Sequence, residues 1–139
     1  MTQRIVIDAN VLFSALYDPA STCGAIVMLA IEGEIELVSP ESVRREMERI
    51  LGKKLGYSGA QAEAALAALP VEWIEEAAYA PKLAEAQPIV RDATDAPLVA
   101  LALALGAEIV SGDKDLHALK TRKVTVWKPK DVGGRKRKR

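Results

Sequence analysis

Short apolar runs alternate with longer amphipathic segments along this chain, and the alternation predicts its secondary structure. The run from Arg4 to Asp8 is apolar and β-branched, as expected of a short buried strand. Similar runs predict further strands at 35–38, 71–74, 108–110 and 124–127. Apolar residues at helical spacing predict helices at 10–17, 21–32, 40–51, 58–69, 94–105 and 115–119.

Several residues between these elements predict helix ends and loops. Ser39 is predicted to cap the third helix and Pro40 to be its first residue, because the first helical position does not need an amide hydrogen. The residues from Gly52 to Gly59 are predicted to form a loop. The segment 77–91 is polar and contains two prolines, so we expect it to be partly helical or irregular.

The alternation of strands and helices predicts an α/β fold. We expect a three-layer α/β/α sandwich with a central parallel sheet of four or five strands. A chain of 139 residues is of single-domain size, and we assign 1–130 to the domain and 131–139 to a flexible basic tail. In such sheets the functional crevice lies beyond the carboxyl ends of the strands. Polar residues directly after a strand are therefore candidates for a site.

Composition adds little about function but bears on location. The single cysteine, Cys23, excludes an intramolecular disulfide and suits a reducing environment. The longest apolar run, Ala96 to Ala107, is shorter than the about 20 residues that a membrane span needs. No basic region leads into an apolar run at the N-terminus, so no secretory signal is predicted. We expect a cytoplasmic protein.

The charge is balanced overall but unevenly distributed. Five of the 19 basic residues occupy 135–139, so the other 134 residues carry 14 basic and 19 acidic groups, a net charge of −5. Nucleic-acid-binding proteins usually gather positive charge on a folded face. If this protein handles RNA, divalent cations must offset part of the repulsion. The tail is either a source of non-specific attraction or a solvated end.

Two aspartates follow predicted strands directly. Asp8 ends the first strand, and Asp113 lies in the loop after the strand 108–110. Each also has a purely structural interpretation. Asp8 suits a helix cap, and Asp113 suits a tight turn before a helix capped by Asp115.

Glu46 lies within the third predicted helix. It is three residues after Val43 and four before Ile50, so it should border the buried stripe, with Arg45 and Arg49 on the far side of the helix. A carboxylate in that position is costly unless it is paired or binds a metal. An ion pair with a nearby arginine is the structural alternative.

Asp95 is at the start of a strongly apolar helix and on the same side as Leu98 and Val99. The structural alternative is a favourable interaction with the helix dipole. Asp92, one turn earlier, is a candidate for a cap or a supporting contact.

Carboxylates gathered at one edge of a sheet would raise one another's pKa unless a cation held them. Mg²⁺ and Mn²⁺ prefer hard oxygen ligands and keep several waters, so a few carboxylates suffice. The chemistry that uses such a site is phosphodiester hydrolysis.

Four motifs occur in the order seen in PIN-domain nucleases, and the chain resembles that family from Arg4 to about Pro129. The resemblance is greatest to the toxins of toxin–antitoxin pairs. Ala9 and Ser111 depart from the commoner threonines, but no carboxylate is lost. The motifs are Asp8-Ala9-Asn10, Glu46 in a helix opened by Ser39-Pro40, the run Arg91 to Ala100 with Asp92 and Asp95, and the run Ser111 to Leu116.

The resemblance implies an endoribonuclease that uses Mg²⁺ or Mn²⁺, forms a homodimer and is inhibited by an antitoxin in its acidic groove. The implied catalytic, metal-binding residues are Asp8, Glu46, Asp95 and Asp113. The implied supporting residues are Asn10, Asp92, Ser111 and Asp115.

Three other functions remain open: a housekeeping RNA-processing nuclease of the same fold, a phosphoacceptor signalling domain using Lys114, and a PIN fold kept only for binding. His117 is expected to be solvated or to cap a helix, and Trp73 and Trp127 to pack at sheet edges. Six aromatic residues are too few for the stacking surfaces of single-strand binders, so RNA should be held through phosphates and the metal.

Overall fold

A five-stranded parallel sheet forms the centre of the computed structural model, which describes residues 2–132. The strand order is β3-β2-β1-β4-β5, and every neighbouring pair is parallel. The predicted parallel sheet of four or five strands is therefore confirmed. The strands are β1 (Gln3–Ile7), β2 (Ile35–Pro40), β3 (Val71–Ile74), β4 (Glu108–Val110) and β5 (Val126–Trp127).

Helices connect the strands and cover the sheet. Two 3₁₀ turns, Ala80–Lys82 and Ala93–Asp95, lie among them, and residues 129–132 are also helical. The helices are α1 (Ala9–Tyr17), α2 (Thr22–Ile31), α3 (Glu41–Leu55), α4 (Gly59–Ala67), α5 (Glu76–Tyr79), α6 (Leu83–Ala86), α7 (Ala96–Leu105) and α8 (Lys114–His117).

The central strand is buried on both faces. Ile5, Val6 and Ile7 are all 0% exposed, although successive side chains of a strand point to opposite faces. Helices α2 and α3 contact β2 and α1 packs on α2 and α3, while α7 contacts β1, β2 and β4 and packs on α5 and α6. The sheet is thus flanked by helices, as the predicted three-layer α/β/α sandwich requires.

The start of α3 differs from the prediction. Ser39 does not cap the helix; it is fully buried at the end of β2, and its hydroxyl donates to the carbonyl of Ile7 at 2.8 Å. Pro40 takes the N-cap position, and the helix begins at Glu41. The predicted loop at Gly52 was also wrong, because α3 continues past it and ends at Gly56, whose φ of +69° is in the left-handed region.

The C-terminal part of the described chain is packed more tightly than expected. Val132, which the prediction placed in the tail, is 0% exposed and belongs to the core. The rest of the predicted tail, 133–139, lies outside the described residues. Within residues 2–132 no single helix is long and apolar enough to cross a membrane; only α1 and α2 together, bent by 95°, pass on length and composition.

One glycine near the start of α2 tests this packing. A Cβ on Gly24 would lie 2.0 Å from the carbonyl oxygen of Pro19, so the loop before the helix would have to move. We expect Gly24→Ala to lower the free energy of unfolding by about 1–3 kcal/mol. Gly59→Ala is the control, because no atom lies within 4 Å of its Cβ position in the first turn of α4. Denaturant melts compare them, and equal stability of the two variants would contradict the packing argument.

Candidate acidic active site

The acidic residues gather where the strand order reverses. The chain places β2 and β3 on one side of β1 and then returns to place β4 on the other side. Ile7 pairs with Val110, so the next residues, Asp8 and Ser111, lie side by side, and the amide of Asp8 donates to the carbonyl of Val110 at 3.3 Å. Reversal points of open α/β sheets are common ligand sites.

Asp8 caps α1 and also faces the site. Its Oδ1 accepts from the amide of Ala9 at 2.6 Å, and its Oδ2 accepts from the hydroxyl of Ser111 at 2.6 Å. The carboxylate is 8% exposed. Burial raises its pKa, the two hydrogen bonds oppose this, and the charge of Asp113 raises the pKa further. The side chain of Asp8 therefore both caps α1 and belongs to the site.

Ser111 connects Asp8 to the loop after β4. Its hydroxyl, which is fully buried, donates to Asp8 and accepts from the amide of Asp113 at 2.9 Å. Asp113 in turn accepts from the amide of Asp115 at 2.9 Å and caps α8. The cap is therefore Asp113 and not Asp115 as predicted, because the helix begins one residue earlier, at Lys114.

Asp95 is buried without a capping role. It ends a 3₁₀ turn at the start of α7, is 7% exposed, and makes no side-chain hydrogen bond to the helix. Burial raises the pKa of Asp95 to about 7, and the negative charges of Asp113 and Asp8 add to the shift. Asp95 therefore does not act as a side-chain cap of α7.

Glu46 is an exposed residue of the same cavity, and Val43 and Ile50, the two residues whose side of the helix it was predicted to share, line the cavity with it. Partial burial raises its pKa, the charge of Asp8 raises it further, and the charge of Arg49 lowers it. The prediction that Arg45 and Arg49 lie across the helix was wrong. Ser42, Arg45, Glu46 and Arg49 have the spacing of one helical face, and all four line the cavity.

The cavity has a volume of about 870 Å³. Asp92 at its edge is exposed and accepts from the amide and hydroxyl of Thr94 at 3.0 and 2.9 Å, which lowers its pKa. Ser111 and Asp115 do not line the cavity but hold residues that do. Six of the predicted site residues line this cavity together: Asp8, Asn10, Glu46, Asp92, Asp95 and Asp113.

Residues 6–130 match the family model for the PIN domain. The chain belongs to the PIN-domain family. No curated protein sequence matches it.

Solved structures share the PIN-domain fold at low sequence identity. VapBC2 from Rickettsia felis, bound to a DNA fragment from their promoter, has a TM-score of 0.70 at 13% identity, covering 91% of this chain and 98% of that chain. A toxin–antitoxin complex from Klebsiella pneumoniae has a TM-score of 0.65 at 18% identity, covering 90% and 97%. DNA-bound VapBC from Salmonella typhimurium has a TM-score of 0.67 at 9% identity, covering 93% and 99%. At these identities the likeness is one of fold.

The PIN-domain carboxylates suit a hard divalent cation, although they do not form a closed cage. Among residues 2–132, no three His, Cys, Asp or Glu side chains are grouped closely enough to hold an ion by themselves. Mg²⁺ is usually held by one or two carboxylates and completes its shell with water. Asp8 and Asp95 offer hard oxygens, and burial raises the pKa of both. The charge of Asp113 raises both pKa values further, and the charge of Asp8 adds to the shift of Asp95. A bound divalent cation would offset this negative charge, so the donor set fits.

The predicted site did not include the aromatic and basic side chains that line this PIN-domain cavity, which are Phe13, Arg45, Arg49 and Lys54. The spacing of 42, 45, 46 and 49 was the available signal for the two arginines. His117 was predicted to be solvated or a helix cap; its Nε2 instead lies 2.6 Å from the carbonyl oxygen of Ser111. Trp73 and Trp127 lie in the two edge strands, as predicted.

Proposed function

We propose that this PIN domain is a metal-dependent endoribonuclease that hydrolyses RNA phosphodiester bonds. The observation that carries the proposal is the convergence of Asp8, Glu46, Asp95 and Asp113 on one cavity at the carboxyl edge of the sheet. The family match over 6–130 supports it, since PIN domains are nucleases. When bound, Mg²⁺ or Mn²⁺ would activate water and neutralise charge on the phosphate.

The buried and the exposed residues of the site would have different roles. Asp8 and Asp95, which are buried, would hold the cation, with Asp113 and Glu46 completing the acidic wall from the loop after β4 and from α3. Ser111 and the amide of Ala9 fix both oxygens of Asp8, so that its carboxylate keeps one orientation. Asn10 is exposed on the cavity wall and would contact the RNA backbone.

We further propose that the protein is the toxin of a toxin–antitoxin pair, is cytoplasmic and acts as a homodimer. The fold shared with VapBC and with a toxin–antitoxin complex supports this role. A housekeeping RNA-processing nuclease would need the same site. Growth arrest on expression, relieved by a small protein encoded beside this one, would support the toxin; expression without effect on growth would favour the housekeeping enzyme.

The phosphoacceptor function has less support. Lys114, the lysine proposed for it, lines a different cavity from the carboxylates, together with His117 and Lys128. Labelling of the protein by acetyl phosphate would revive this alternative.

Metal removal tests the proposed activity. We expect RNA cleavage that EDTA abolishes and that Mn²⁺ or Mg²⁺ restores, because the cation would activate the attacking water and stabilise the charge that develops on the phosphate. The measurement is cleavage of an end-labelled structured RNA on a denaturing gel, with Ca²⁺ and Zn²⁺ in parallel to rank the ions. Undiminished cleavage in EDTA would reject the metal-nuclease proposal.

A further inference from the structure

One wall of the acidic cavity is basic and aromatic. Arg45, Arg49 and Lys54 of α3 line it together with Phe13 of α1. Among the described residues these three cations form no salt bridge, although several carboxylates line the same cavity. Cations that are not held in salt bridges can bind phosphates.

Phe13 of this wall contacts two further side chains: Lys54, which also lines the cavity, and Tyr17, which lies outside the lining. The rings of Phe13 and Tyr17, one turn apart on α1, lie 6.0 Å apart with an interplanar angle of 15°. The ammonium of Lys54 lies 5.3 Å from the centroid of the Phe13 ring, within cation–π range. We call Lys54, Phe13 and Tyr17 the aromatic wall.

Tyr17 is the open end of the aromatic wall. It is 70% exposed, the most exposed large hydrophobic residue among those described. An exposed ring next to a phosphate-binding wall is the arrangement on which single-stranded nucleic acids stack their bases. The small number of aromatic residues led us to expect no stacking surface, but helical spacing places two of them side by side on α1.

We propose that the aromatic wall is a subsite for one unpaired nucleotide of the RNA at the edge of the acidic cavity. The base stacks on the Phe13–Tyr17 pair, and the neighbouring phosphates contact Arg45 and Arg49. This inference rests on the proposed ribonuclease function. It selects single-stranded RNA, because the faces of a base within a duplex are covered by its neighbours.

The test measures RNA binding rather than cleavage. A fluorescent single-stranded RNA oligonucleotide and a duplex of the same sequence are titrated with the full chain in EDTA, and Kd is read by anisotropy. Tyr17→Ala should weaken single-strand binding about tenfold, the equivalent of one stacked base at about 1.4 kcal/mol. Tyr17→Phe should bind like the unmodified protein, because the ring is kept.

Two controls separate stacking from general damage. Tyr57→Ala removes another exposed aromatic residue, 37% exposed and outside the cavity lining, and should leave Kd unchanged. The affinity for the duplex should change little in Tyr17→Ala.

Arg45→Ala and Arg49→Ala should each reduce the slope of log K against log salt by about 0.7, as expected when one contact to a single-strand phosphate is lost. Thermal melts confirm that each variant is folded.

The proposal is overturned if Tyr17→Ala binds the single strand normally, if Tyr17→Phe is as weak as Tyr17→Ala, or if the unmodified protein does not bind the single strand. Normal binding by Tyr17→Ala together with loss of affinity for a partner protein would assign the aromatic wall to that partner. Failure of the subsite proposal can be distinguished from failure of the proposed nuclease function. If the protein cleaves RNA in a metal-dependent way but Tyr17→Ala binds RNA normally, only the subsite proposal is rejected. If binding depends on the Tyr17 ring but no cleavage is found, only the nuclease proposal is rejected.

Discussion

Replacing Asp8 with asparagine should reduce metal-dependent RNA cleavage by roughly 100-fold or more while the protein stays folded. Loss of a residue that only orients a metal ligand typically lowers metal affinity or activity about 10- to 100-fold. We expect loss of a direct ligand to lower activity at least as much. Asparagine keeps the shape of the side chain and still accepts a hydrogen bond from Ala9, so the α1 cap survives. The hydroxyl of Ser111 can turn to accept from the new amide. The substitution therefore removes the charge and one acceptor oxygen but keeps the shape of the side chain and the helix cap.

A matched variant controls for loss of charge elsewhere. Asp131→Asn makes the same chemical change at an exposed position outside the cavity lining, and we expect it to cleave RNA normally. Initial rates across a Mn²⁺ titration separate weakened metal binding, which more metal rescues, from a lower maximal rate. Equal activity of Asp8→Asn and the unmodified protein, or equal loss in Asp131→Asn, would remove Asp8 from the site.

The metal-free protein should lose stability as the pH rises from about 4 to about 7. The folded-state pKa of Asp95 is about 7, against an ordinary value of 3.8. Between these values the folded state binds more protons than the unfolded state, so the free energy of unfolding falls with pH. The stability from protonated Asp95 is complete below the ordinary value and is lost as the pH passes through the folded value. Asp8 and Glu46, whose pKa values are also raised, act in the same direction.

Asp95→Asn should therefore be at least as stable as the unmodified protein at pH 8 in EDTA, and its stability should depend less on pH. Asp92→Asn is the matched control with the opposite sign, because the Thr94 hydrogen bonds lower the pKa of Asp92 and favour its charged form. Metal should stabilise the unmodified protein by about 2.7 kcal/mol at a hundredfold excess over Kd, and Asp95→Asn by less. Thermal melts at pH 5 and pH 8, with and without Mn²⁺, measure all of these effects. A metal-independent loss of stability in Asp95→Asn would instead remove Asp95 from the proposed metal site.

The sequence alone was enough to predict the α/β class, the parallel sheet and the positions of most elements. Buried parallel strands must be apolar on both faces, and the run before Asp8 showed this directly. It was also enough to single out Asp8 and Asp113, because both follow strands and the carboxyl ends of parallel strands meet at one edge. The PIN-domain resemblance, carried by motifs in order, was confirmed over 6–130.

Only the tertiary structure decided which distant residues each side chain contacts. Ser39 looked like a helix cap, but it bonds to Ile7, 32 residues away, because β2 lies next to β1. The rotation of α3 about its axis depends on what it packs against, and it turned Arg45 and Arg49 toward the carboxylates. The pKa of Asp95 and the stacking of Lys54 on Phe13 depend on burial and on contacts between distant parts of the chain. Local patterns specify which elements form, whereas charge environment and side-chain stacking arise only when those elements pack together.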